Sequence, residues 1–217
     1  MLHAGGTDTP EWMLNLPSVW SLLSSAALSP AGEWFLELFC GGAILTLACS
    51  PSRIPCVQPW DLKFSPDIDV VRFLHTILLL IFEGYIVCVH LGTPCHSCTL
   101  ARSPAMRSLD CPQGVSGLSV QDQWLLDNGN ALIDASCQIM EALWSVGGYF
   151  SCENPWPGFM WLQPRILKIH ALAGVILTTL SMSAYDVCYD KSTGVLHNLP
   201  FGWKLGAAKD FSRLLVV

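Results

Sequence analysis

The stretch Tyr85-Ile86-Val87-Cys88-Val89-His90-Leu91-Gly92-Thr93-Pro94-Cys95 decides how the rest of the chain reads. A short apolar run closed by Gly-Thr-Pro describes a buried strand that stops abruptly. A second stretch repeats the plan, with Gly148-Tyr149-Phe150-Ser151-Cys152 running into Glu153-Asn154-Pro155. Each strand delivers reactive side chains at its carboxyl end, the edge where ligands bind in open α/β sheets. A Cys95 thiol and a Glu153 carboxyl on two such ends would pair a nucleophile with a proton donor, a combination suited to attack on an aromatic base. Glu153 emerges from a buried-looking run, so desolvation is expected to favour its protonated form.

Outward from these strands, apolar runs alternate between strand and helix character. Trp34 to Phe39 reads as a strand, Cys40-Gly41-Gly42 as a turn, and Ala43 to Cys49 as a helix. A short strand over Ile54 to Val57 ends at Pro59-Trp60-Asp61. The spacing of Val70, Phe73, Leu74, Ile77, Leu78 and Ile81 predicts a helix over 69–82. Residues 93–119, rich in Ser, Pro, Gly and Cys, read as a long loop of the kind that is functional or mobile. Gln121 to Val146 reads as a long helix with a break at Asn128-Gly129-Asn130. After the Tyr149 strand come a helix over 161–173 interrupted at Pro164, a strand over 175–182, and a tail of polar turns ending in the strand-like 213–217. The alternation predicts an α/β fold with a mostly parallel, doubly wound sheet. Residues 1–32 are expected to form a poorly ordered leader, with one helix over 16–28, and residues 33–217 a single domain.

Composition narrows the function classes. Of the 217 residues, 52% are hydrophobic and only 13% charged, and the mean hydropathy is +0.44, so a multi-span membrane protein is one reading. The candidate spans argue against it. Residues 73–92 carry His75, Glu83 and His90, residues 34–49 are short of the roughly 20 needed and contain Glu37, and residues 169–185 include Gly174. No Lys or Arg precedes Arg53, so a basic secretory leader is not expected. The ten cysteines are scattered through apolar runs, which suggests reduced thiols in an intracellular protein. A net charge of −6 lacks the basic footprint of a stand-alone nucleic-acid binder.

Two further motifs carry chemistry. In Phe39-Cys40-Gly41-Gly42-Ala43, a glycine turn between strand and helix lets backbone approach a ligand. Asp61, 22 residues beyond Phe39, is placed to accept from ribose hydroxyls, and Trp60 to stack on an adenine. Together they suggest a nucleoside-containing cofactor; a plain turn with a surface acid fits the same residues. Cys95-His96-Ser97-Cys98 also reads as a Cys-x-x-Cys pair. Zinc would need two more ligands, for which His90, His96 and Cys111 are available without distinctive spacing, so no metal is expected. A redox pair would open a helix, whereas the residues that follow look like loop. Arg102 and Arg107, in the same polar loop, read as solvated side chains.

Taken in order, these motifs resemble the cytosine-C5 DNA methyltransferases, and among them the short, divergent Thr-Pro-Cys and Glu-Asn-Pro type. The resemblance covers roughly residues 33–182 and rests on Phe39-Cys40-Gly41-Gly42-Ala43, Asp61, Pro94-Cys95 and Glu153-Asn154. It implies a Rossmann-like fold that binds S-adenosylmethionine near Phe39, Gly41, Gly42, Trp60 and Asp61. It further implies that a flipped cytosine of DNA is attacked at C6 by Cys95, presented by the Pro94-Cys95 loop. Glu153 would hold N3, Asn154 would position Glu153, and Arg102 and Arg107 would meet phosphates. The protein would be nuclear in a eukaryote and cytoplasmic otherwise. Ala43 stands where the family's second glycine is expected, no arginine-rich strand follows Glu153-Asn154, and the chain after Pro155 is short for a recognition domain. An inactive or truncated copy acting as an interaction protein is the alternative these departures support.

Overall fold

A computed structural model describes residues 13, 16–19, 33–49, 52–61, 69–181 and 191–200. The first strand, β1 (Trp34–Leu38), alternates as a strand covered on both faces must. Leu36 and Leu38 are wholly buried on one side, while Phe35 and Glu37 point to the other. Helix α1 (Ile44–Cys49) lies on the Phe35 side, where Phe35, Cys49 and Cys56 form a small apolar cluster. Helices α2 (Leu74–Phe82) and α3 (Val120–Ser145) belong to the opposite side. There Leu36, Leu38, Val89, Leu91 and Phe150 share one core with Ile77, Leu80, Ile139 and Leu143.

The sheet continues through β2 (Ile86–Leu91), β3 (Tyr149–Pro155), β4 (Ile176–Ser181) and β5 (Ser192–His197). It is an open five-stranded sheet in the order β1-β2-β3-β5-β4. The first three strands are parallel, as expected. The expectation of a mostly parallel sheet needs correction at its far side, because β5 runs antiparallel to both β3 and β4. The sequence reads there as polar turn. Ser192, Thr193 and Gly194 carry little apolar signal, yet Gly194 is where the Trp161 ring crosses the strand. A Cβ on Gly194 would stand 2.8 Å from the indole.

Several element boundaries move for physical reasons. The helix expected over 69–82 begins only at Leu74, because Asp69 Oδ1 accepts from Val71 N–H at 2.8 Å and holds the preceding residues in a turn. Helix α3 runs unbroken through Asn128-Gly129-Asn130. Its start is capped by Ser119, whose hydroxyl accepts from Asp122 N–H at 3.1 Å. The strand expected over 54–57 is not formed as such: the stretch over 54–60 makes isolated parallel bridges to β1, Phe35 with Cys56 and Leu38 with Trp60. Pro164 does not interrupt a helix but opens one: a 3-10 turn over Phe159–Leu162 precedes α4 (Pro164–His170), with the proline in its first turn. Arg165 then ties α4 to α3 through Asp134 and Glu141.

Residues 73–92 do not form a membrane span: they divide into α2 and β2 at Glu83-Gly84. Among the described residues no helix is long and apolar enough to cross a membrane. Within the expected leader, Met13 and Val19 are fully buried, and Pro17 O accepts from Gln58 N–H at 2.9 Å. The rest of the leader, including most of the expected 16–28 helix, and the strand-like 213–217 lie outside the described residues.

Candidate active site

The chain leaves β1 first to one side, where Cys56 and Trp60 bridge to it, and then returns through α2 to place β2 on the other side. The carboxyl end of β1 is therefore where the winding reverses, the position at which open α/β sheets bind ligands. The candidate cofactor residues gather there. Phe39 and Cys40 N–H groups donate to Trp60 O at 2.7 and 3.3 Å, and Gly92 N–H donates to Leu38 O at 3.0 Å. Gly41 N–H donates to Asp61 Oδ2 at 2.9 Å. The acidic residue and the glycine turn thus meet directly, although 20 residues separate them.

The turn itself is strained. Phe39, Gly41 and Ala43 have φ of 57°, 55° and 54°, the left-handed region that costs a non-glycine residue about 1–2 kcal/mol. Gly41 meets this at no steric cost, and no atom lies within 4 Å of where its Cβ would be. Room at Gly41 and a partly exposed Asp61 carboxylate fit a nucleoside group at this edge. Trp60 does not: it is 2% exposed and packs edge-on against Phe73 at 6.3 Å. The expected adenine-stacking role of Trp60 is corrected accordingly, since the core occupies its ring.

Glu37 is a residue the sequence reading passed over. It is 3% exposed and accepts from Thr46 N–H at 2.7 Å and Thr46 Oγ1 at 2.6 Å, fastening the first turn of α1 to β1. Burial pushes its carboxyl above the usual range, against the lowering effect of the Thr46 hydrogen bonds. The signal was an acid inside the apolar run Trp34-Phe35-Leu36-Glu37-Leu38. Burial, reinforced by Glu37 and Asp61, also raises the Cys40 thiol to about 12.

The second half of the site lies at the ends of β2 and β3. Asn154 is 2% exposed and its amide donates to Thr93 O at 2.8 Å. The Thr93 hydroxyl shares a hydrogen bond with Ser136 at 2.9 Å and lies 3.6 Å from Cys152 Sγ. Beyond Pro94, Cys95 O accepts from Cys98 and Thr99 N–H groups at 2.8 and 3.0 Å, closing a tight turn. That turn docks on the chain after β3, where Thr99 bridges Gly158 and Phe159 N–H donates to Cys98 O at 2.9 Å. The two sequence stretches that decided the fold are therefore fastened to each other. Cys95 is partly exposed, while Cys98 is buried and its thiol raised by desolvation. Among the described residues no group of three His, Cys, Asp or Glu is close enough to hold a metal.

Glu153 and Asn154 stand within β3, paired with Val195 and Gly194, rather than on a loop beyond it. Their side chains accordingly leave opposite faces of the sheet. The Glu153 side chain is 34% exposed and meets Lys191 Nζ at 3.2 Å, so the apolar surroundings expected of it are absent. No hydrogen bond joins Cys95 to Glu153 among the described residues. On the face that Glu153 shares, Glu37, His90, Ser151 and His197 follow one another across the register. His90 Nδ1 and Ser151 Oγ are 2.8 Å apart. Burial lowers the His90 imidazole to about 4, with the Glu153 charge acting the other way.

Neither candidate phosphate contact is free. Arg102 is paired with Asp122 at 2.5 Å. Arg107 is 1% exposed and its nitrogens are spent inside the chain, which rules it out as a surface contact and corrects that expectation.

No family model matches the chain, and no curated protein matches it. Among solved structures it is similar to the methyltransferase EhMeth of Entamoeba histolytica, with a TM-score of 0.46 and 9% sequence identity, over 78% of this chain and 54% of that one. The chain thus spans about half the length of that protein.

Proposed function

We propose that this protein transfers a methyl group from S-adenosylmethionine to carbon 5 of cytosine in DNA through a covalent Cys95 adduct. The observation that supports the reading is the hydrogen bond from Asn154 to Thr93 O, at 2.8 Å. It fastens the strand end bearing Glu153 to the loop bearing Cys95, as a shared pocket requires. Cys95 stands two residues beyond that bond, at most about 7 Å of chain. Support for cytosine and for DNA comes from the order of the motifs.

In this reading the Cys95 thiolate adds to C6 of a base taken out of the stack. Addition opens the C5–C6 double bond and leaves its electron pair at C5, while Glu153, protonated once the base displaces Lys191, gives its proton to N3 and offsets the charge that develops on the ring. Phe39, Gly41, Gly42 and Asp61 would hold the cofactor, with Asp61 accepting from its sugar. Bound there, S-adenosylmethionine would supply the methyl group as an electrophile. A water molecule then takes the C5 proton, the C5–C6 double bond reforms as the Sγ–C6 pair leaves on sulfur, N3 returns its proton to Glu153, and Cys95 is released as the thiolate. The Pro94 ring, with no N–H to satisfy, lets the chain turn directly into Cys95.

The test uses the full chain, methyl-labelled S-adenosylmethionine and duplex DNA containing cytosine. Label should enter the DNA, Cys95→Ser should abolish it, and a 5-fluorocytosine duplex should trap a covalent complex through Cys95. Absence of both transfer and cofactor binding by calorimetry overturns the proposal. A second reading, a methyltransferase-like fold kept for interaction without catalysis, is favoured by the burial of Trp60. It predicts a cooperatively folded protein that binds neither cofactor nor cytosine DNA.

A further inference from the structure

Arg107 is among the largest fully buried side chains, at 1% exposure. None of its partners is an acid. Its Nε donates to Ser97 O at 2.9 Å and its Nη2 to Ser97 Oγ at 3.0 Å. Its Nη1 donates to Pro112 O at 2.7 Å and to Asn130 Oδ1 at 2.8 Å. Burying a guanidinium without a counter-ion is expensive, and neutral oxygens repay only part of the cost. A structural filler would not need the charge. What the charge provides is a rigid fork that gathers three separate pieces of chain: the turn after Cys95, the far end of the same loop, and helix α3.

The surroundings are shaped to accept that fork. Gly129, inside α3, lies where a Cβ would stand 2.3 Å from Ser97 Oγ and 3.4 Å from Arg107 Nη2. The glycine that looked like a helix break in the sequence is therefore a notch through which the loop reaches the helix. Asn130, the next residue, turns its amide the other way and donates to Gln113 O at 2.9 Å. Gln163 donates to Pro112 O at 2.5 Å and to Phe159 O at 3.2 Å, joining the same knot to the chain after β3.

We propose that Arg107 is a positioning residue for Cys95. Its guanidinium, through both oxygens of Ser97, sets the conformation of the Cys95–Cys98 turn and so fixes where the thiol is presented. This rests on reading Cys95 as the nucleophile, but the geometry it concerns exists without any methyl transfer. The readout is therefore the rate at which iodoacetamide alkylates Cys95, resolved by peptide mass spectrometry in the full chain, with the thermal midpoint measured alongside.

Arg107→Lys keeps the charge and loses the fork, and Ser97→Ala removes the acceptor of Nη2 while leaving the Nε bond to Ser97 O in place. Cys137, which is wholly buried, reports global opening. Cys95 alkylation is expected to rise at least threefold in both variants while Cys137 stays protected. In preparations that show transfer, methyl transfer should fall at least tenfold in kcat at unchanged KM for S-adenosylmethionine. If Arg107→Lys fails to fold, Ser97→Ala alone decides. Unchanged Cys95 alkylation in the folded variants overturns the inference. A wild-type protein without transfer refutes the proposed reaction and leaves the alkylation comparison standing.

Discussion

Asn154 donates one hydrogen bond to the Thr93 carbonyl, yet its own side-chain oxygen is buried without a partner. The bond ties the ends of β2 and β3 together at the candidate site and leaves the amide half satisfied. Asn154→Ala leaves the Thr93 carbonyl unsatisfied but also removes the orphaned oxygen. The expected cost is about 1–2 kcal/mol, a fall in the thermal midpoint of roughly 2–8 °C for a chain of this size. Calorimetric scans check it, and a variant as stable as the parent removes the claim that this bond holds the two ends together.

Ala43 sits at φ 54° with its methyl wholly buried at the start of α1. Two effects oppose each other in Ala43→Gly: relief of left-handed strain, about 1–2 kcal/mol, against lost burial and added chain entropy, about 1–2 kcal/mol together. The substitution should be close to neutral for stability. Ala43→Val, branched at Cβ in that conformation and overpacked, should cost more than about 2 kcal/mol. Denaturant titration distinguishes the two. Should valine be tolerated as well as glycine, the strained turn is not a real constraint.

Two histidines on one sheet face set a pH dependence. His90 is lowered to about 4 by burial, and His197, wholly buried with Nδ1 unpartnered, is lowered for the same reason. Between pH 6.5 and about 4 these two imidazoles bind protons in the unfolded chain that they refuse in the folded one. Their contribution to stability is therefore complete above pH 6.5 and falls as pH drops through that window, while the raised Glu37 carboxyl acts in the opposite direction. The His90 share is roughly 2 kcal/mol, discounted for the solvent contact its ring retains. His90→Gln should flatten the slope of urea midpoints between pH 6.5 and 4.5; an unaltered slope assigns the dependence to other groups.

What the sequence made legible was the part governed by local chemistry. The parallel strands announced themselves because one face is wholly buried, at Ile86, Val89, Leu91, Phe150 and Cys152, and the other still carries Val87, Cys88 and Tyr149, so Ile86 to Leu91 and Tyr149 to Cys152 read as nearly continuous apolar runs. The glycine turn and Asp61 were found together because backbone geometry demands those residue types at a strand-to-helix bend. What failed depended on partners distant in the chain. Trp60 looked available until Phe73 and the core took its ring. Arg107 looked like a solvated loop residue because its acceptors, Ser97, Pro112 and Asn130, are backbone or neutral groups that leave no charge pattern. Glu153 was given an apolar setting because Lys191, from 38 residues later, was not foreseeable as its neighbour.

The reversed strand β5 offers the sharpest test of the fold. Its hydrogen-bonding position between β3 and β4 requires Gly194 to lie flat beneath Trp161, whose indole N–H is held by Pro155 O at 2.9 Å. A methyl at residue 194 would meet the ring at 2.8 Å, and the ring, fixed by that hydrogen bond, has no easy retreat. Gly194→Ala should therefore destabilise by about 1–3 kcal/mol and blue-shift or broaden Trp161 fluorescence. Pairing it with Trp161→Phe, which shortens the ring and frees it from Pro155, should recover part of the loss. The coupling between the two substitutions in a double-mutant cycle then measures the contact directly. Strictly additive effects would mean that the indole does not cross this strand, and with that the antiparallel placement of β5 would lose its packing rationale.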